Sequence, residues 1–167
     1  FARKPLVGGM MLGEVALYHD VAFETATHKK TRQSCVWATQ VDVRLTLDPV
    51  IYVAQDLQQK DCWHREIYRH ELLHLEADRV LLEKYRGQIT DGLNMVFATP
   101  ANYMTGPVKN RATDDTREKM RESMTLPLGV MFDKMMRERG QVQQAVDTPE
   151  EYARVASICA HEELPQD

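Results

Sequence analysis

No run of apolar residues in this sequence approaches the roughly 18 that a membrane-spanning helix needs, so no membrane span is expected. A dense stripe of lysine and arginine is also missing. The net charge is −4, and the local basic clusters (Lys29, Lys30 and Arg32; Arg137 and Arg139) are too short to neutralise a row of phosphates. They read as solvated surface, and nucleic acid is excluded as the main partner. Cysteine is sparse, and none of Cys35, Cys62 and Cys159 has the CxxC-type spacing of a thiolate metal site. Cys35 opens a strand-like segment and Cys62 opens the main helix. A Cys35–Cys62 disulfide tying helix to sheet is therefore one expectation, and three reduced thiols the other. With the cysteines, the expectation is an exported protein, periplasmic or secreted, with one disulfide. The opening Phe1-Ala2-Arg3-Lys4-Pro5 has neither an initiator Met nor the form of a signal peptide, as in a mature or trimmed product, and does not itself decide the compartment. Internal repeats and low-complexity tracts are lacking too.

What is present suits one globular domain over residues 1–167: 43% of residues are hydrophobic and 28% charged, an ordinary balance for a chain of this length. Residues 10–24 alternate loosely, with Val15, Leu17, Val21 and Phe23 on one parity. Residues 25–34 are polar and read as a loop. A second strand, 35–47, sets Val41, Val43, Leu45 and Leu47 against Asp42, Arg44 and Thr46, a period of two with one wet face. Asp48-Pro49 predicts a turn, and Val50 to Ala54 a short returning strand. A long helix follows from Asp61, a plausible N-cap, to Arg86, with Gly87 as its stop. Pro100 breaks the mixed stretch 93–104. Helices are expected at 113–124 and 128–140, separated by Pro127, and a last one runs from the capping box Thr148-Pro149-Glu150-Glu151 to about His161. The fold class is α+β: a small antiparallel sheet packed on a long helix (1–104), followed by a helical C-terminal part (113–161).

The long helix carries His70-Glu71-Leu72-Leu73-His74, an HExxH sequence. Residues four apart share a helix face, so two imidazoles converge on one ion at about 2.0–2.1 Å. Glu71, rotated by about 100° from His70, is placed to act as general base on a water. On a helical wheel Trp63, Ile67, Ala77, Leu81 and Tyr85 flank the histidines. Leu72, Leu75 and Leu82 cover a second face, and Leu73 and Val80 a third. Only the strip with Arg65, Arg69, Glu76, Arg79 and Glu83 is polar. The expectation is a helix buried around most of its circumference, where unpartnered imidazoles and a carboxylate would cost several kcal/mol unless a cation satisfies them.

The segment from His70 to Asp78 resembles the active-site helix of the zincin metallopeptidases, especially the thermolysin-like gluzincins. More loosely, the order strand, short strand, Cys62, HExxH helix is similar to that of small bacterial proteins predicted to be zinc-dependent proteases of unknown substrate. The resemblance covers residues 35–87. It implies a catalytic Zn2+, an edge strand that binds extended peptide, and Glu71 as general base and proton shuttle. The metzincin extension would need Gly at position 77 and His or Asp at 80, where Ala77 and Val80 stand, so that subclass is excluded. No later segment matches the gluzincin form that supplies a third ligand.

The third ligand is accordingly left open. Asp78, one turn past His74, is a candidate ligand or outer support, its ordinary reading being a salt bridge. Glu118 and Glu122 are distal candidates by analogy with gluzincins, against a solvated helix face. His28 and His161 would complete a three-histidine site, against ordinary surface histidines. Tyr103, Tyr52 and His161 are candidate oxyanion donors; Trp63, Tyr68 and Tyr85 read as packing, and Met124, Met131, Met135 and Met136 as helix core. The function expected is a zinc metallopeptidase acting on a peptide or protein substrate. The alternatives are a non-catalytic metal-binding or protein-interaction module and a metal-dependent amide hydrolase acting on cell-wall peptides. Oligomeric state is open, a dimer through the charged helices of 113–140 included.

Overall fold

A computed structural model of the chain describes residues 8–163. The architecture is α+β, a three-stranded antiparallel sheet with four helices, one of them long. Strand β1 (Gly9–His28) and strand β2 (Gln33–Val53) form a hairpin, closed by Arg32 in the left-handed region at φ 52°. Ser34, Val36 and Ala38 are buried between more exposed neighbours, the period of two that a half-covered strand requires. Strand β3 (Met104–Lys109) pairs antiparallel with β2 from Gln33↔Lys109 to Trp37↔Met104, with a register slip between Ser34 and Val36. The sheet order is β1-β2-β3.

Helix α1 (Asp61–Phe97) is followed by the single turn α2 (Pro100–Tyr103), then α3 (Thr113–Gln144) and α4 (Pro149–Ile158). Three expected interruptions are absent. Strand β2 runs through Asp48-Pro49. Beyond Trp37 it has only β1 for a partner among the described pairings, and a strand with one unpaired side is where a proline is tolerated. Helix α1 runs through Gly87 and Gly92, at roughly 1 kcal/mol each in propensity. The row Tyr85, Ile89, Leu93 and Val96 continues its apolar face, the first two buried and the others half-buried. Helix α3 contains Pro127, a residue costing about 3 kcal/mol in a helix interior; Met124 and Leu128, both buried, anchor the turns on either side.

The chain divides into two compact units. The first comprises, of the described residues, 8–15, 46–82 and 137–163; the second comprises Ala16–Leu45 and Glu83–Met136. Within the first, Leu57, Ile67 and Val155 form a core flanked by Val53, Ala54 and Trp63. Within the second, Val21, Ala38 and Met124 are packed by Phe23, Val41, Val96, Phe97 and Tyr103.

The disulfide joins Cys62 to Cys159, not Cys35 to Cys62. Cys62 at the start of α1 faces Cys159 at the end of α4 with Cα atoms 5.6 Å apart, within bridging range. Cys35 is a free thiol on β2, in the second unit. A second correction concerns α1. Leu73 and Val80 are exposed, at 46% and 61%, and Leu72 is exposed as well, so the burial is confined to fewer faces than the wheel implied.

Candidate metal centre

Three pieces of the first unit converge on the HExxH turn. Strand β1 crosses α1 at its glycines. A Cβ on Gly9 would lie 2.6 Å from Ile67 Cγ2 and 2.7 Å from Glu71 Oε1; one on Gly13 would lie 2.8 Å from Arg139 Nη2. Only backbone fits at such separations, and the Met11 N–H uses the approach to donate to the Glu71 carboxylate. Glu71 is buried. Burial pushes its carboxyl above the usual range, against the pull of His74 and His70.

The end of α3 brings Arg139 and Gln143. Asp78 is fully buried, and its two oxygens accept from Arg139 Nε and Nη2, each at 2.8 Å. Gln143 Nε2 donates to Asp78 Oδ1 at 2.7 Å and to the His74 carbonyl at 2.9 Å. Both partners are acceptors, which fixes the nitrogen end of the amide and leaves Gln143 Oε1 to accept from His74 Nδ1 at 2.6 Å. His74 Nδ1 is therefore the donor in this contact, and a neutral ring would present its Nε2 lone pair to the cluster.

The turn before α4 supplies Asp147. Thr148, next in the chain, is the N-cap of α4, its hydroxyl accepting from the Glu151 N–H at 3.1 Å, with Pro149 in the first turn. Asp147 Oδ1 lies 3.2 Å from His70 Nε2 and 3.3 Å from His74 Nε2, and the two Nε2 atoms are 3.2 Å apart. On the far side of His70, Nδ1 is 3.5 Å from Glu151 Oε1. Tyr152, exposed, tilts over His70 with ring centroids 5.7 Å apart and donates its hydroxyl to Asp147 Oδ1 at 2.9 Å. Desolvation raises the Asp147 carboxyl, but the Tyr152 hydroxyl and the two imidazoles outweigh it and hold the group below its ordinary value. Tyr152 in turn is raised, by burial and by Asp147.

Two nitrogens and one oxygen at mutual distances of 3.2–3.3 Å make a near-equilateral triangle. Four ligands around zinc at about 2.0–2.1 Å are spaced by about 3.3–3.4 Å in a regular tetrahedron, so the donor set fits one face of such a polyhedron. One proton between His70 and Asp147 would serve two of the three atoms and leave the His74 lone pair facing them. A cation serves all three. Among the described residues, His70, His74 and Asp147 are the group of three ligand-bearing side chains so placed.

Of the residues singled out in the sequence, His70, Glu71 and His74 are brought together. Asp78 reaches His74 through Gln143 and donates no atom to the cluster. His161 is exposed after α4. Glu118 and Glu122 are exposed on α3 within the second unit, Glu118 paired with Arg121. His28 is held in the hairpin turn, its Nδ1 accepting from the Thr31 N–H at 3.2 Å. Tyr103 packs on Phe97 in the second unit, and Tyr52 is exposed on β2. Asp147, Gln143, Glu151 and Tyr152 were not foreseen. Asp147 stands 77 positions after His70, and its only sequence signal is its place immediately before a capping box. Comparison with protein-family models, curated proteins and solved structures finds no match to this chain.

Proposed function

We propose that this chain is a zinc-dependent metallopeptidase in which His70, His74 and Asp147 hold the ion and Glu71 is the general base. The observation that carries the reading is the triangle of two imidazole nitrogens from α1 and the Asp147 oxygen, spaced as zinc ligands are, with the buried Glu71 carboxyl next to His70 in the chain. Zinc bound there supplies Lewis acidity, making water a nucleophile near neutral pH and polarising a carbonyl. Glu71 takes a proton from the attacking water as the oxygen adds to the scissile carbonyl carbon. It then returns that proton to the amide nitrogen as the C–N bond breaks. The Met11 N–H keeps the Glu71 carboxylate turned to one side. The cluster is reachable, since Asp147 is 43% exposed. The β1 edge beside Glu71 offers backbone along which an extended peptide can lie. The Cys62–Cys159 bridge favours an oxidising compartment, periplasmic or extracellular.

Metal content and turnover of a mixed peptide substrate test this together. His70→Ala/His74→Ala is expected to lose zinc. Asp147→Asn should weaken binding beyond the roughly 10–100-fold that an outer support costs. Glu71→Gln should keep zinc and lose turnover; parental activity in that variant sinks the catalytic assignment. A second reading, a closed structural metal site, is favoured by one observation: the Tyr152 hydroxyl, 2.9 Å from Asp147 Oδ1, is near enough to fill a fourth position. It predicts no turnover by any variant and weaker zinc binding in Tyr152→Phe.

A further inference from the structure

We propose that Arg154 is a positioning residue for the metal centre, acting on His70 through Glu151. The inference rests on the metal-binding reading above. His70 Nδ1 is buried and makes no well-formed hydrogen bond; the acceptor within reach is Glu151 Oε1 at 3.5 Å. Helix α4 presents that carboxylate from its first turn, and Arg154 holds it from one turn further on. Arg154 Nε meets Glu151 Oε2 at 2.8 Å and Nη2 meets Oε1 at 2.7 Å, a two-nitrogen fork on one carboxylate. Its remaining nitrogen, Nη1, donates to Glu66 Oε2 at 3.0 Å.

Glu66 is the reason the fork cannot swing away. It lies one turn before His70 on α1, is 2% exposed, and is held below the usual carboxylate range chiefly by Arg154. A buried carboxylate that lost this cation would keep only Arg65 and Arg69, at 3.2 and 3.4 Å and both largely exposed. The guanidinium is thus fastened to α1 at one nitrogen and orients Glu151 with the other two. A carboxylate on Nδ1–H selects the tautomer whose Nε2 lone pair faces His74 and Asp147, and it makes that nitrogen a better donor. Gln143 does the same for His74. Lysine, a point charge, cannot grip two carboxylates at fixed angles.

The test is titration of the full chain with Co2+, followed by visible absorption, in the parent, Glu151→Ala, Arg154→Gln and the double variant. Each single change is expected to weaken binding about 10–100-fold, and the double variant to bind no more weakly than the weaker single. Glu66→Gln/Arg154→Gln removes the buried charge together with its partner and should show the Arg154→Gln loss with the parent's circular dichroism. Glu151→Ala leaves the Arg154–Glu66 pair intact, so it reports on the centre even if Arg154→Gln unfolds. Parental affinity in Glu151→Ala and in the Glu66/Arg154 pair variant overturns the proposal, as do losses that multiply in the double variant. A parent chain that takes up no cobalt overturns the metal centre itself.

Discussion

Gly9 meets Glu71 and Ile67 at distances that leave no room for a methyl group, so the Glu71 carboxyl is seated against bare backbone. Gly9→Ala should lower stability by about 1–3 kcal/mol, as overpacking does. The urea midpoint reads this, with Gly87→Ala as the contrast. Position 87 has nothing within 4 Å of a new Cβ, sits inside α1, and should gain up to about 1 kcal/mol. An unchanged midpoint in Gly9→Ala would mean that β1 yields at that crossing. At this scale the sequence was readable where chemistry is local. His70, Glu71 and His74 are linked by one helical turn, a relation that spacing alone expresses. Asp147 and Gln143 are linked to them only by the return of the chain some seventy positions later, and an aspartate in a polar turn looks like any other. Asp78 was legible as a ligand candidate, an outer support for an imidazole or a salt-bridge residue, but its route to His74 through Gln143 was not.

Helix α4 owes its place to ties at both ends. Thr148 caps its start, and Cys159 bonds its end to Cys62. Just beyond, Glu162 accepts the Cys62 and Trp63 N–H groups with its side chain, at 3.1 and 3.2 Å, while its carbonyl accepts from the Trp63 indole at 2.8 Å. A carboxylate at a helix N-terminus satisfies orphan donors and meets the positive end of the dipole. The bridge closes a loop of 97 positions, for which loss of a native disulfide costs about 2–5 kcal/mol. Cys62→Ser/Cys159→Ser should therefore unfold at markedly lower denaturant, with parental behaviour under a dithiol reductant converging on it. A Cys35→Ser variant should behave as the parent; if it falls instead, the pairing is wrong. Element boundaries were less legible than element types. Gly87 and Pro127 are local stop signals, and both were overruled by buried neighbours that the chain meets only on folding. Strand β3, six residues with Gly106 and Pro107 inside it, carries no alternating pattern and exists by pairing with β2.

At the level of the whole molecule, an ion bound to the folded chain alone adds stability by mass action. The addition is about 2.7 kcal/mol when free metal exceeds its dissociation constant 100-fold, or about 5–10 °C in midpoint for a chain of this size. Chelation should lower the midpoint by that order and zinc should restore it, while His70→Ala/His74→Ala should respond to neither; equal sensitivity in parent and variant would place the stabilising ion elsewhere. The unit that holds the cluster is assembled from three separate stretches, and Asp147, its carboxylate, lies in the last of them, 137–163. During translation both imidazoles leave the ribosome long before the oxygen that completes their set. On the proposed reading, a nascent chain would be unable to load an ion until residues 137–163 had been synthesised and folded back.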